Sequence, residues 1–453
     1  MSSNAARHIV FPSFLLAAFL TAICAHSAQP AAAAPTEPRA LADSIAPQVA
    51  EIRGLPFKQP VNVEIQSTAD FDSYVHRRID EAVAPSVKQH YGKIVRTLGL
   101  YRGPAIEDFS AMMSTVMSSQ VAAYYDPDRQ SFFVVKSGMP DMMMGVLYSH
   151  ELYHALQDQH FGLAQYMEMG TAHDSRAHSA DAMLARQAVV EGEATYMMTL
   201  WLMQKMAGKI PPRDALAPMI SMQANLSMDQ LRAALAKPEV SEAVGADMRD
   251  AIASSDDIPP FIMESMLGVY FKGLAFVFAV QEQGWSAVEK LYSEYPPQST
   301  EHILHPEKWL AREAPASFEW PDFDKVKVLR GWQLLESDVL GEFQWRIVFK
   351  EHGLAAEAEP VAAGWDGDRY AVFKNKDSDS TLLLMRTSWD SEADAREFLE
   401  AYRRLLAVKY ADAAVATRVE QKGNDVFIVE GADEANIDSL LKLVRQTKAR
   451  RAL

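Results

Sequence analysis

The sequence predicts an α+β protein: a mainly helical part with a small sheet and an edge hairpin, followed by a smaller α+β part. Three observations carry that prediction. Long helical patterns of apolar residues run through residues 146–160 and 181–205, with no Pro in either. Two β-rich runs flank the turn-forming Asp126-Pro127-Asp128 within residues 121–135. Beyond Phe318, short strand-like runs alternate with amphipathic helices. The expected domain order is a signal peptide at 1–28, a flexible linker at 29–44, a helical domain at 45–316 and an α+β domain at 317–453.

The composition is that of an ordinary globular protein, 49% hydrophobic and 23% charged. Its net charge of −16 is unsuited to nucleic acid or to an anionic membrane surface. At the N-terminus, Arg7 precedes a nearly all-apolar run at 9–25, and small residues follow, so cleavage is expected between Ala25 and Ala34. The run is short for a span and contains Pro12, which favours a cleaved secretory signal over an anchor. The expected location is therefore secreted or periplasmic. Cys24, the only cysteine, lies in this segment, and Ile23 before it is not the small residue a lipoprotein signal uses. The mature chain then has no disulfide and no thiolate ligand for a metal. No later segment reads as apolar enough to cross a membrane.

Residues 29–44 are rich in Ala and Pro and read as a tether. Globular sequence begins near Ile45, with a strand expected at 61–65 and a long helix at 70–98. The hairpin at 121–135 lies just upstream of the most informative stretch. One of its strands offers a backbone to an extended peptide by strand addition, the alternative being a plain structural hairpin.

That stretch is VLYSHELYHALQDQHF, and within it His150-Glu151-Leu152-Tyr153-His154. Helical residues four apart share a face, so His150 and His154 can present two imidazole nitrogens to one ion. Glu151 is rotated to the neighbouring edge of that face, where a carboxylate reaches water without filling a coordination site. Two neutral imidazoles and a carboxylate suit Zn2+ and leave a fourth position open. The third ligand is expected on the helix at 181–205, where Glu191-Gly192-Glu193 interrupts an apolar pattern. A buried carboxylate is costly unless something pairs it, and a metal would do so. Glu191 is the expected ligand and Glu193 the reserve, with Gly192 expected to permit close approach to the first helix.

These motifs resemble those of the gluzincin metallopeptidases, the class that includes thermolysin and the gluzincin aminopeptidases. Glu191 matches the ligand Glu of their N-E-G-x-A motif, and Tyr270-Phe271-Lys272-Gly273 matches their Y-x-K-G motif. The resemblance covers roughly residues 120–280, and it implies a zincin-like fold with Tyr270 as hydrogen-bond donor to an oxyanion. There are departures. The segment between His154 and Glu191 is longer, Val190 stands where the Asn would be, and no G-x-M-E-N motif is present, so aminopeptidase activity is not implied.

Residues 207–260 are expected to add helices walling a cleft. The stretch Pro297-Gln298-Ser299-Thr300-Glu301-His302-Ile303-Leu304-His305-Pro306 resembles a P-x-S-T-E-x-x-x-H-P signature of poorly characterised exported or archaeal H-E-x-x-H proteins. His305, ahead of His302, is its candidate second electrophile. In the C-terminal part, strands are expected at 326–329, 370–373, 381–385 and 425–430, helices at 339–351, at 391–410 with Ser391 as cap and up to Val444, and a tight turn at 364–368.

The function expected from these residues is an exported zinc metallopeptidase acting on a peptide or protein. His150, His154 and Glu191 would hold zinc, Glu151 would act as general base, and Tyr270, with His305, would steady the oxyanion. The alternatives are a non-catalytic exported binding protein with a zincin fold, and a zinc hydrolase of a non-peptide substrate.

Overall fold

The computed structural model describes residues 37–135, 141–168, 179–227, 230, 233 and 258–450. The expected signal peptide at 1–28 lies outside the described residues, as do 29–36 of the expected linker. The remainder of that linker is helical. Helix α1 (Pro38–Arg53) begins with Pro at its first turn, and Ala42, Ile45 and Val49 are buried along one face. The apolar stripe of the globular sequence thus begins at Ala42, inside the expected linker.

By its contacts the chain forms two compact units that are not sequential blocks. Among the described residues, unit 1 takes in those of 37–84, 110–168 and 186–296, and unit 2 those of 85–109, 179–185 and 297–450. The cut expected at 316/317 thus becomes a set of crossings, because tertiary packing assigns Pro85–Phe109 and residues 297–316 to the later unit. The single helix expected at 70–98 is in fact two, α2 (Thr68–Ala82) and α3 (Pro85–Leu98). Pro85 has no N–H for a helix already running and is pre-set for the first position of a new one. Ser67 caps α2 by accepting the N–H of Asp70.

In unit 1, β1 (Asn62–Ile65), β2 (Ala123–Asp126) and β3 (Ser131–Val134) make a sheet in the order β1-β3-β2. The hairpin forms as expected, with Ala123 opposite Val134, while β1 joins β3 in parallel. Its turn is closed by Asp126, whose Oδ1 accepts the N–H of Asp128. After α1 and α2, the described helices of this unit are α4 (Phe109–Gln120), α5 (Asp141–Phe161), α6 (Leu163–Glu168), α7 (Ala180–Ala207, from Arg186 onward), α8 (Arg213–Ala224), α9 (Pro260–Gln281) and α10 (Trp285–Lys290). Of the expected wall at 207–260, α8 is described, and most of the rest lies outside the described residues.

The glycines of the two resembled motifs meet each other. A Cβ on Gly192 would run into the backbone carbonyl of Gly273, and one on Gly273 into Ala188 O. Gly192 therefore lets α7 approach α9, and not α5 as the sequence suggested. Helix α5 instead meets α7 where Gly145 faces the ring of Trp201. One expectation about membranes is also corrected. By length and composition Pro260–Gln281 is long and apolar enough to cross one, but 72% of its apolar window is buried inside the protein.

In unit 2, β4 (Ser317–Glu319) pairs with β10 (Lys448–Arg450), and five antiparallel strands form the order β5-β6-β7-β9-β8. These are β5 (Trp332–Glu336), β6 (Trp365–Asn375), β7 (Thr381–Trp389), β8 (Thr417–Lys422) and β9 (Asp425–Glu430). The unit's helices after α3 are α11 (Thr300–Leu304), α12 (Pro306–Leu310), α13 (Gly341–Glu351), α14 (Ala355–Ala362), α15 (Glu392–Lys409) and α16 (Ile437–Arg445). One face of the sheet packs Phe373, Leu384 and Val429 against Leu440 and Val444 of α16. On α13 and α15, Trp345, Phe398 and Tyr402 cluster, with Trp389 stacked on Phe398. Strands covered on both faces read as near-continuous apolar runs, as 381–385 does.

Ser391 caps α15 as expected, accepting the N–H of Asp394. The strand expected at 326–329 is instead a 3-10 turn, Lys327–Leu329, and the turn expected at 364–368 ends at Gly364, β6 starting at Trp365 with a bulge before Gly367. Asp368 there receives N–H bonds from Leu340, Gly341, Trp345 and Trp365, which occupies the carboxylate completely.

Replacing Gly192 with Ala should cost about 2–3 kcal/mol, since neither helix backbone can retreat from the added methyl. Urea unfolding of the variant measures this, and an unchanged midpoint would contradict the close approach.

Candidate metal centre

Helices α5 and α7 bring the three expected ligands together. His150 Nε2 and His154 Nε2 are 3.0 Å apart, and Glu191 Oε2 lies 3.2 Å from the first and 3.3 Å from the second. All three residues are buried. Ligands 2.0–2.1 Å from a tetrahedral ion are separated by about 3.3 Å, so the triangle matches the edge of such a site.

The protonation of the cluster is set by its neighbours. Gln157 directs its amide nitrogen at acceptors, the Val190 carbonyl (3.1 Å), the Glu193 carboxylate (3.2 Å) and the Tyr292 hydroxyl (2.7 Å). Its oxygen is therefore the atom facing His154 Nδ1 at 2.8 Å, and that nitrogen must carry the hydrogen. The Nε2 of a neutral His154 then points a lone pair at another imidazole nitrogen and at a carboxylate oxygen. Converging Lewis bases need a proton or a cation between them. Without a cation the proton is shared. Burial disfavours an imidazolium, but the Glu191 carboxylate outweighs it and raises His154 to about 9. Burial likewise raises Glu191, and the two histidines overcome it and bring the carboxyl down to about 2. His150 Nδ1 is buried and finds no hydrogen-bond partner among the described residues.

Glu151 is placed differently from the ligands. Its Oε2 accepts the N–H of Tyr125 at 3.0 Å, fixing the carboxylate against strand β2. The strand edge that the sequence offered to a substrate backbone is, at Tyr125, taken by Glu151. The Tyr125 hydroxyl donates to Asp158 at 2.8 Å, tying the same strand to the end of α5. Tyr270 on α9 packs its ring beside His150, centroids 5.9 Å apart, and is buried.

Glu193, the reserve ligand, does not join the cluster. Its Oε1 receives Arg53 Nε at 3.0 Å and its Oε2 the Tyr292 hydroxyl at 2.6 Å. Arg53 also donates to the Tyr153 hydroxyl at 3.1 Å and lies over the Trp285 ring. With both histidines neutral, as metal ligands must be, the buried charges of this network are three carboxylates, Glu151, Glu191 and Glu193, against one guanidinium. A divalent cation would bring them to neutrality, and the donor set of two imidazoles and a carboxylate fits one.

Arg53, Gln157, Tyr292 and the Tyr125 N–H were not found by sequence reasoning. Gln157 had a signal, since it lies three residues from His154 on one helix face. Arg53 had none, being a hundred residues from its partner Tyr153.

The two histidines of the later signature belong to unit 2. His305 directs Nε2 to Glu342 Oε1 at 3.1 Å, a hydrogen bond that raises its pKa. His302 is buried, donates from Nε2 to the Glu313 carbonyl at 2.7 Å and accepts the Gln298 N–H at Nδ1. A second acidic group in this unit, Glu301, Glu313 and Asp390, surrounds Lys308 Nζ, at 2.6, 3.4 and 2.7 Å. That ammonium already supplies its cation.

A family described as Domain of unknown function (DUF8575) matches residues 331–441, within unit 2 and outside the metal cluster. No curated protein and no solved structure matches the chain.

Burial holds His302 neutral, lowering its pKa from 6.5 to about 4 against the pull of the Glu313 carbonyl. The unfolded chain takes up a proton near pH 6.5 that the folded chain refuses until about pH 4. This stability is therefore complete above pH 6.5 and is lost as pH falls towards 4, by about 3 kcal/mol in all. Urea midpoints followed by tryptophan fluorescence across pH 4–7 should fall less steeply in His302→Gln than in the wild type. Parallel profiles would refute the assignment.

Proposed function

We propose that the protein is an exported, zinc-dependent metallopeptidase of the gluzincin type. The observation that carries this reading is the 3.0–3.3 Å triangle of His150 Nε2, His154 Nε2 and Glu191 Oε2, with Glu151 one residue along α5. Export rests on the reading of residues 1–28 as a secretory signal, and a zincin-like fold rests on the motif order.

Zinc, when bound by His150, His154 and Glu191, supplies Lewis-acid chemistry: it acidifies water and polarises a carbonyl. The chain's own residues do the rest. Glu151, anchored at one oxygen by the Tyr125 N–H, takes a proton from the attacking water and returns it to the departing amine. Tyr270, whose ring lies beside His150, would donate a hydrogen bond from its hydroxyl to the oxyanion that forms at the former carbonyl. His305 is left out of this step because Glu342 engages its ring. The burial of the cluster strengthens each of these interactions by excluding water.

The purified mature chain should contain one zinc, Glu191→Ala should lose it, and Glu151→Gln should keep it. Glu151→Gln should also lower cleavage of a peptide library by at least ~10²-fold. Metal analysis beside cleavage profiling checks both. A zinc-loaded wild type that leaves every peptide intact would move the reading to a binding protein or a hydrolase of other substrates.

A further inference from the structure

We propose that Gln157, Glu193 and Arg53 form a positioning relay for the metal ligand His154, which makes the N-terminal helix α1 a working part of the metal centre. The inference rests on the metal site proposed above and concerns the residues behind it.

The relay begins at the end of α1. Gly54, with φ of 75°, stops the helix by donating its N–H to the Ala50 and Glu51 carbonyls, so Arg53 is its last residue. Helix α1 packs along α5, and this delivers the guanidinium into the interior of unit 1, where it is buried over Trp285. There Arg53 Nε reaches Glu193 Oε1 and the Tyr153 hydroxyl together. A carboxylate as buried as Glu193 needs a countercharge, and Arg53 provides it.

The second oxygen of Glu193 is then an acceptor of fixed position. It receives the Tyr292 hydroxyl and lies 3.2 Å from the Gln157 amide nitrogen, which also donates to the Val190 carbonyl. An amide held this way can show His154 only its oxygen. The hydrogen of His154 stays on Nδ1, and Nε2 keeps a lone pair facing Glu191 and His150. If Gln157 loses its oxygen, nothing at that position holds the hydrogen on Nδ1. The ring is then free to turn or to carry its hydrogen on Nε2, where it blocks a metal. Groups of this kind behind a metal-ligating imidazole typically contribute 10–100-fold in affinity. Arg53, Glu193 and Gln157 touch neither substrate nor metal, so their action is through His154.

The test is metal binding by the full mature chain, read in two ways. Zinc affinity is measured by competition with a chromophoric chelator, and coordination geometry by the visible absorption of the Co2+-loaded protein. Gln157→Leu, folded by far-UV circular dichroism, should bind zinc about 10–100-fold more weakly and show an altered Co2+ spectrum. Arg53→Met should do the same, and Arg53→Lys, which keeps the charge, should recover most of the affinity. Should Arg53→Met fail to fold, Gln157→Leu decides alone. A folded Gln157→Leu with wild-type zinc affinity and Co2+ spectrum would overturn the relay while leaving the metal site intact. A folded Arg53→Lys without recovery would remove Arg53 from it. A wild type that takes up neither metal would overturn the underlying site, and the relay with it.

Discussion

Glu191 presents one carboxylate oxygen to two imidazole nitrogens in the interior of unit 1, and much of that unit is arranged to make the meeting possible. Helices α5 and α7 must lie close enough for side chains from both to share a point, so Gly145 gives way to Trp201. Helix α7 must also lie against α9, and the glycines at 192 and 273 let their backbones touch. The same contact sets α9 at a depth where Tyr270 packs on His150. A buried carboxylate facing imidazoles is expensive unless a proton or a cation joins them. The packing holds the three groups together in spite of that cost, as it would for a site meant to be filled.

Buried acids elsewhere in the protein show how the interior treats carboxylates that need no ion. Asp368 is enclosed by four N–H donors, and Asp181 accepts both the N–H and the hydroxyl of Thr300. Glu301 holds Lys308, and Glu193 holds Arg53. In each case a donor or a countercharge comes from the chain itself. Glu191 differs in that its partners are two nitrogens that are also each other's neighbours. The metal proposal follows from that difference, and the positioning relay follows from the fact that Glu193, two residues along the same helix, is satisfied in the ordinary way.

The sequence carried most of the candidate metal centre because its residues are local to two helices. The four-residue spacing of His150 and His154 fixes their common face, and an acid within an apolar helix requires a partner to offset its burial. Helices capped or started by local chemistry, such as the one begun at Ser391, were legible for the same reason. Errors arose where tertiary packing overrides local composition. Residues 38–44, the end of the expected tether, are helical because the apolar stripe that begins at Ala42 packs along α5, and 326–329, which reads as a strand, turned as 3-10. Pro85 did carry a local signal, and the long helical periodicity around it concealed that signal.

Residue types and spacing by themselves determined that two imidazoles and a nearby carboxylate share a helix, that a later apolar helix carries two acids, and that the chain is α+β. Spacing is a property of one element, and a helix enforces it wherever the element sits. Tertiary structure alone decided which acid faces the histidines. Glu191 and Glu193 differ by two positions, and a helix turns about 200° over that interval, so one reaches His150 and His154 while the other reaches Arg53. It likewise decided that Arg53 belongs to the site at all, because contacts across a hundred residues are set by packing and leave no periodic trace in the sequence.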